Sequence, residues 1–310
     1  MQIFMNRFAS TFGVLLLTLG FAQQGDSATP GATLPDTPDG TVVVIAQQLL
    51  DHHPEIIWEA LPKSYRTDIN EITSTFAEKM DPEVYNRAFS LMMRAIEVLD
   101  DRKDIILASE TFRSSGADGD EIRMGLANTQ AYIQTLKASE IATLEGLGKV
   151  DWRQFLATTG AEMLEHAASI ETDDGAYPLD DLETLKVETL NLSDDRATLR
   201  ISSADHEPEE VEMARVEGRW IPAEMADEWP KAIAEARQAL AEYTPEEMAA
   251  QKTQIMMFFG MADGLIEQIA SLQTPEEFDA AIGPMLAPLM GIAAMGMMGD
   301  NEGWEEPEED

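Results

Sequence analysis

The chain has no cysteine among its 310 residues, which excludes disulfide scaffolds, thiolate metal sites and thiol nucleophiles. It is also poor in basic residues, since 21 Lys and Arg stand against 58 Asp and Glu and the net charge is -37. Binding of nucleic acid by release of phosphate counterions needs the opposite balance. We therefore expect no nucleic-acid partner. An acidic surface commonly keeps a protein soluble and by itself implies no partner.

Sequence motifs of familiar enzyme classes are missing as well. There is no Gly-x-Ser-x-Gly, no Gly-x-x-x-x-Gly-Lys and no Gly-x-Gly-x-x-Gly. The sequence therefore predicts no cofactor and identifies no catalytic residue. A pair of carboxylates for glycoside cleavage stays open, because such partners meet only in the folded chain.

The first 22 residues follow the pattern of a secretory signal, with Arg7 before an apolar stretch and Gly20-Phe21-Ala22 after it. The apolar stretch, Phe12–Phe21, has 10 residues, whereas a membrane-spanning helix needs roughly 20. We expect cleavage after Ala22, a periplasmic or secreted protein, and no permanent membrane span. Residues 23–40 are rich in Gly, Pro and small polar residues and predict a flexible leader.

Residues 41–170 predict a helical region. Proline followed by glutamate, after a residue that can cap, is typical of a helix start. One helix is expected from Asp81, with an apolar stripe of Val84, Ala88, Leu91, Met92, Ala95, Ile96 and Leu99, and later Ile106. The helix starts occur at His53-Pro54-Glu55, Asp81-Pro82-Glu83, Thr244-Pro245-Glu246 and Thr274-Pro275-Glu276.

Residues 171–298 predict a short antiparallel meander of three or four strands, over about residues 183–222, followed by helices from about Pro230, Pro245 and Pro275. The expected fold class is α+β, mainly helical, with the meander packed between the N-terminal helical region and the C-terminal helices. Residues 299–310 hold seven acids and no base and predict a disordered acidic tail.

The hairpin at Val216-Glu217-Gly218-Arg219-Trp220 has the form Val-x-Gly-x-Trp. With its flanks, over about residues 150–230, it resembles the final hairpin of exported bacterial domains of the SnoaL-like, nuclear-transport-factor-like class. The resemblance implies that the tryptophan lies over a helix-backed sheet. Members of this class are functionally diverse, so it implies a binding or scaffold domain with no reaction attached.

Two groups of residues are candidate metal ligands. Glu162 and His166 are four residues apart, so they share a helix face and could bind a divalent ion. Thioether sulfur selects Cu(I), which makes Met295, Met297 and Met298 candidates in the methionine-rich C-terminal segment. Methionine also fills helix interfaces, and an exposed acidic helix end is an ordinary feature. Loose calcium binding is a further hypothesis for the acids at 173–174 and 180–181.

These patterns favour a non-catalytic binding or interaction protein of the bacterial cell envelope, with an envelope protein or a small ligand as its partner. The groove between helices and sheet and the methionine-rich face are the candidate binding surfaces. A periplasmic protein that handles copper or calcium is the first alternative, and a carboxylate-dependent hydrolase is the second.

Overall fold

The computed structural model describes residues 33–114, 119–168, 179–204 and 207–281. In these ranges the protein is a mainly helical α+β protein with a four-stranded antiparallel sheet, as the sequence predicts. The predicted signal segment, most of the leader and the acidic tail lie outside the described residues. The chain divides into two compact units. Of the described residues, the first unit contains those from 33 to 93 and from 128 to 259, and the second contains those from 94 to 127 and from 260 to 281.

Helices precede and follow the sheet. Those before it are α1 (Pro38–Leu50), α2 (Glu55–Ala60), α3 (Lys63–Lys79), α4 (Pro82–Asp101), α5 (Lys103–Ala108), α6 (Glu110–Ser114), α7 (Gly119–Ala138), a 3₁₀ turn (Glu140–Ala142), α8 (Leu144–Leu147), α9 (Trp152–Phe155), a π-helical turn (Leu156–Gly160), α10 (Ala161–Ala168) and α11 (Asp180–Glu183). Those after it are α12 (Ala223–Glu242), α13 (Pro245–Ser271) and α14, which the structure describes over 275–281.

The sheet is a meander in the order β1-β2-β3-β4, and all neighbours are antiparallel. Glu217 and Gly218 form the β3–β4 turn with φ of 51° and 78°. Positive φ at both central residues is the geometry of a type I′ hairpin, for which glycine is well suited. The predicted meander is confirmed, with four strands: β1 (Lys186–Leu192), β2 (Arg196–Ser202), β3 (Glu209–Val216) and β4 (Arg219–Pro222).

Both faces of the sheet are covered. The neighbouring residues Trp220 and Ile221 of β4 lie on opposite faces. Successive side chains of a strand point to opposite faces. Trp220 packs with Leu199 and Met213, against which Val42 of α1 also packs. Ile221 belongs instead to the main hydrophobic core of the first unit.

The main core contains residues from both predicted regions, the helical region 41–170 and the region 171–298. Tyr65 and Trp152 come from the helices before the sheet, whereas Ile221 and Trp229 come from β4 and α12, and all are buried in one cluster. The helical and sheet regions therefore share a core within the first unit. The division into units accordingly differs from the predicted split into consecutive regions.

Several helix starts are as predicted. The Asp81 carboxylate accepts hydrogen bonds from the amides of Glu83 and Val84, at 2.9 and 3.1 Å. Thr274 caps α14 through the Glu277 amide, at 3.2 Å. The first helix begins earlier than expected, because Thr37 accepts from the Gly40 amide and Pro38 occupies the first turn. The predicted leader over residues 23–40 therefore ends inside α1.

The inner face of α4 differs from the predicted stripe. Met92 is 49% exposed and Leu99 37% exposed, whereas Met93 is only 2% exposed. The reason is that Tyr85, Phe89 and Met93, which follow one another at intervals of four residues, define the face. The Tyr85 hydroxyl donates to the Ile141 carbonyl at 2.7 Å, and burial raises the pKa of Tyr85 to about 12.

Helix α12 begins at Ala223, directly after the sheet, and so the predicted start at Pro230 is wrong. Proline fits the first turn of a helix, but here it lies in the interior, where it removes one backbone hydrogen bond. Trp229 and Ile233, on either side of this proline, are buried in the main core and hold the helix in place. Packing thus overrides the local signal.

The second unit has its own small core of Leu272 and Phe278, with Ile105, Ile106, Leu265, Ile269 and Ala281 packed against it. The Asp279 carboxylate accepts hydrogen bonds from the amides of Glu110 and Thr111, both at 2.9 Å. These bonds lower the pKa of Asp279. They connect α14 to the beginning of α6.

Candidate functional site

An open groove of about 790 Å³ lies in the first unit, between α3 and the segment 147–153 that leads from α8 into α9. The segment can lie close to α3 because residue 148 is glycine. A Cβ atom at Gly148 would stand 2.9 Å from the Cβ of Ala77 in α3, closer than side chains tolerate. Asp151 then starts α9 by accepting from the Gln154 amide at 3.0 Å, as the sequence predicts.

Apolar residues of the main core form the floor of the groove. Trp58, Leu147 and Trp152 line it and are all buried. The rings of Trp152 and Phe155 are in edge contact, with centroids 5.5 Å apart and planes at 78°. This contact holds the Trp152 indole in place.

Two polar atoms of groove residues have no hydrogen-bond partner among the described residues: Thr73 Oγ1 and Trp152 Nε1. Thr73 is 4% exposed and Trp152 is 5% exposed. Threonine in a helix commonly donates to the carbonyl four residues earlier, as Thr67 does to Lys63 at 3.0 Å. Thr73 makes no such bond. A buried polar group without a partner costs about 1–3 kcal/mol, and both atoms are enclosed by the protein rather than exposed to the groove.

Ion pairs hold the basic residues at the rim of the groove. Arg153 pairs with Glu59 at 2.8 Å, and Lys149 pairs with Glu145 at 2.6 Å. The hydrogen bond from Lys149 lowers the pKa of Glu145. The positive charges of the rim are therefore already matched by carboxylates of the chain.

The two lining carboxylates are held in structural contacts too. Glu71 Oε2 accepts from Arg237 at 2.6 Å, and this bond raises the pKa of Arg237. Asp151 is the cap of α9. The lining residues include no histidine. The groove is thus equipped to hydrogen-bond a ligand, and its carboxylates serve the fold.

The structure places Glu162 and His166 on α10, as the helical spacing predicts. His166 Nε2 lies 3.5 Å from Thr135 Oγ1, and its ring meets the Tyr132 ring edge-on with centroids 6.0 Å apart. In the described ranges no group of three or more His, Asp or Glu side chains could hold a metal ion. Metal binding by Glu162 and His166 stays a prediction.

The remaining candidates divide between described and undescribed residues. Met295, Met297 and Met298 lie outside the described residues, and so do the acids at 173–174. Asp181 lies in α11, and its carboxylate accepts a hydrogen bond from the Ser203 hydroxyl. Of the helices in the described ranges, none combines the length and the apolarity that a membrane span requires.

Comparison of the chain with protein-family models, with curated proteins and with solved structures gives no match. What the groove can bind has to follow from its own residues. Sequence reasoning identified Asp151 as a cap but missed Thr73 and Trp152 as site residues. They come from distant parts of the chain, and no local motif connects them.

Proposed function

We propose that the chain is an exported, non-catalytic binding protein of the bacterial cell envelope, and that it binds a small polar ligand in the groove between α3 and residues 147–153. Export is supported by the signal-like pattern of residues 1–22. The groove itself carries this assignment, because it has a volume of about 790 Å³ and a lining that combines an apolar floor with exposed polar side chains such as Thr67 and Asn70.

The groove carboxylates favour binding over hydrolysis, because both already accept hydrogen bonds from the chain. An acid or base catalyst has to exchange a proton with its substrate. Glu71 is paired with Arg237 and Asp151 caps a helix, so each carboxylate already accepts from a group of the chain. The same carboxylates keep the walls of the groove in place.

The groove is tested by native mass spectrometry of the mature chain after incubation with the small-molecule fraction of an envelope extract. The wild type is expected to carry a bound mass, and Asn70→Ala, which removes an exposed amide from the lining of the groove, is expected to lose most of it. Asn191→Ala is the matched control, because Asn191 is exposed on β1 and does not line the groove. An equal adduct on Asn70→Ala would exclude the groove, and a wild type without any adduct contradicts the proposal.

Export is tested separately by cell fractionation and by sequencing the N-terminus of the natural protein. We expect a chain that begins at Gln23 in the periplasm or the medium. Finding the intact chain in the cytosol would show that residues 1–22 are not a signal.

A further inference from the structure

Helix α13 carries an apolar face that no described residue covers. Its large side chains Met257, Phe258 and Met261 are 64%, 59% and 63% exposed. Residues three or four apart lie on the same face of a helix, so the positions of these side chains relative to each other follow from helix geometry alone. Neighbouring exposed apolar side chains mark an interaction surface, whereas single ones are ordinary. The α13 face consists of six exposed residues: Gln254, Met257, Phe258, Met261, Gly264 and Gln268.

Gly264 leaves a hollow in the α13 face. No described atom lies within 4 Å of the position that a Cβ atom would take at this glycine. Glycine in the interior of a helix is less favourable than alanine, because it loses more conformational freedom on folding. Among the described residues nothing approaches closely enough to require a glycine here. The hollow is therefore free to accept a side chain from another molecule.

The α13 face holds no charged residue, although the net charge of the chain is -37. The two acids of this half of the helix, Asp263 and Glu267, pair with Arg94 at 3.3 and 3.4 Å. A charged partner would find no opposite charge on the face itself, so electrostatic complementarity does not select one. The contact has to form through apolar packing and through the amides of Gln254 and Gln268.

The α13 face is complementary to a second copy of itself. In a two-fold symmetric contact between antiparallel helices, residues at equal distances on either side of the centre lie at the same level. With Met261 at the centre, Phe258 of one copy lies at the level of Gly264 of the other, so a large side chain comes level with a hollow. Gln254 lies at the level of Gln268 in the same arrangement, and their amides can both donate and accept.

From these observations we infer that the chain forms a reversible homodimer through the α13 faces of two copies, packed antiparallel about Met261. The groove has no lining residue on α13, so the inference is independent of the proposed function. The three large side chains offer roughly 300–400 Å² of apolar surface per copy, less than the surface of about 800 Å² per partner that is usual for stable complexes. The dimer is therefore weak, with a dissociation constant on the order of 10–100 µM.

The test is sedimentation equilibrium of the full mature chain at concentrations on either side of this range, in low and in high salt. We expect the average mass to rise from that of one chain to that of two and no further, because a two-fold contact closes on itself. Salt should strengthen the dimer, since it screens the repulsion between two negatively charged copies. The mass of one chain at every concentration, or a dimer that salt dissociates, would overturn the inference.

A charge at the centre of the face tests its position. Met261→Lys brings two like charges together and is expected to weaken dimerisation about tenfold or more. It also lowers the net negative charge of the chain, so general repulsion cannot explain the loss. Leu192→Lys is the matched control, because Leu192 is 61% exposed, lies on β1 and undergoes the same change of charge. Equal effects of the two variants would show that the contact lies elsewhere.

Gly264→Leu distinguishes packing into the hollow from unspecific apolar association. Leucine favours a helix and the space around Gly264 is open, so the melting temperature of the monomer is expected to stay the same or to rise. Filling the hollow is expected to weaken the dimer about tenfold, because the two faces no longer fit. Stronger association of this variant would show that the contact is unspecific, which overturns the inference.

Disulfide formation tests the antiparallel arrangement, and the chain has no cysteine of its own to interfere. Gln254→Cys and Gln268→Cys are oxidised separately and as an equal mixture. Antiparallel packing predicts a cross-linked dimer in the mixture only, because a disulfide needs the two residues to lie close together. Cross-links within each variant alone, or none in the mixture, would overturn the arrangement.

Discussion

The carboxylate of Glu217, in the turn between β3 and β4, accepts a hydrogen bond from the backbone amide of Ser64 at the beginning of α3, at 3.0 Å. The residue before this helix, Pro62, supplies no side-chain cap. The first amides of a helix need an acceptor from outside it. A residue of the β3–β4 turn therefore caps a helix that forms one wall of the groove.

Replacing Glu217 by alanine should destabilise the protein, because the Ser64 amide loses its acceptor and the N-terminus of α3 loses a nearby negative charge. We expect the melting temperature to fall by about 2–4 °C. Glu235→Ala is the matched control, since Glu235 is an exposed glutamate on α12. Circular dichroism during heating measures both variants. Equal shifts would show that the Ser64 contact contributes nothing.

The same contact makes a prediction about pH. The hydrogen bonds from Ser64, together with nearby Lys63, lower the pKa of Glu217 in the folded protein. A folded-state pKa below the unfolded value means that the contribution is complete above the ordinary glutamate pKa of about 4.3 and is lost as the pH falls through the lower folded value. The stability difference between wild type and Glu217→Gln should therefore change only in this acidic range. A difference that changes between pH 6 and pH 8 would contradict the assignment.

Features that depend on neighbouring residues could be predicted from the sequence. Asp81 before Pro82 marks a helix start by its chemistry alone, and Glu217-Gly218 marks a tight turn between two alternating stretches. Thr73 and Trp152 carry no such signal, because their lack of partners is a property of the folded surroundings. The wrong start at Pro230 has the same origin, since the burial of Trp229 decides against the local preference of proline.

Shortening a buried side chain at the centre of the sheet should lower the free energy of unfolding more than the same change at its end. Leu199 in β2 is fully buried, with 0% of its surface exposed, whereas Leu192 at the end of β1 is 61% exposed. Leu199→Ala removes buried methyl groups and leaves a cavity, so we expect a loss of about 2–5 kcal/mol. Leu192→Ala, the same change in the same sheet, should stay within about 0.5 kcal/mol of the wild type. Urea unfolding followed by tryptophan fluorescence compares the two, and similar losses would mean that the sheet face is not a packed core.

The stack of Tyr65 on Trp229 should depend on the hydrogen bond that orients the indole. The ring centroids are 4.1 Å apart with planes at 2°, and Trp229 Nε1 donates to Asp68 Oδ2 at 2.9 Å. Trp229→Phe removes this donor and part of the ring, and we expect a loss of about 1–3 kcal/mol. The control is Trp220→Phe, because the Trp220 indole makes only a long bond of 3.4 Å to the Asp36 carbonyl.

A double-mutant cycle between Trp229→Phe and Asp68→Ala isolates the bond itself, because each single variant removes one of its two partners. Asp68 also accepts from Arg237 at 2.7 Å, and Arg237 in turn holds Glu71 at the rim of the groove. Because the two residues are in direct contact, we expect their effects on the free energy of unfolding to be non-additive by about 0.5–1.5 kcal/mol. Additive effects would mean that the indole is held by ring packing alone. In that case Asp68 would act only through Arg237, and Trp229→Phe should leave ligand binding in the groove unchanged.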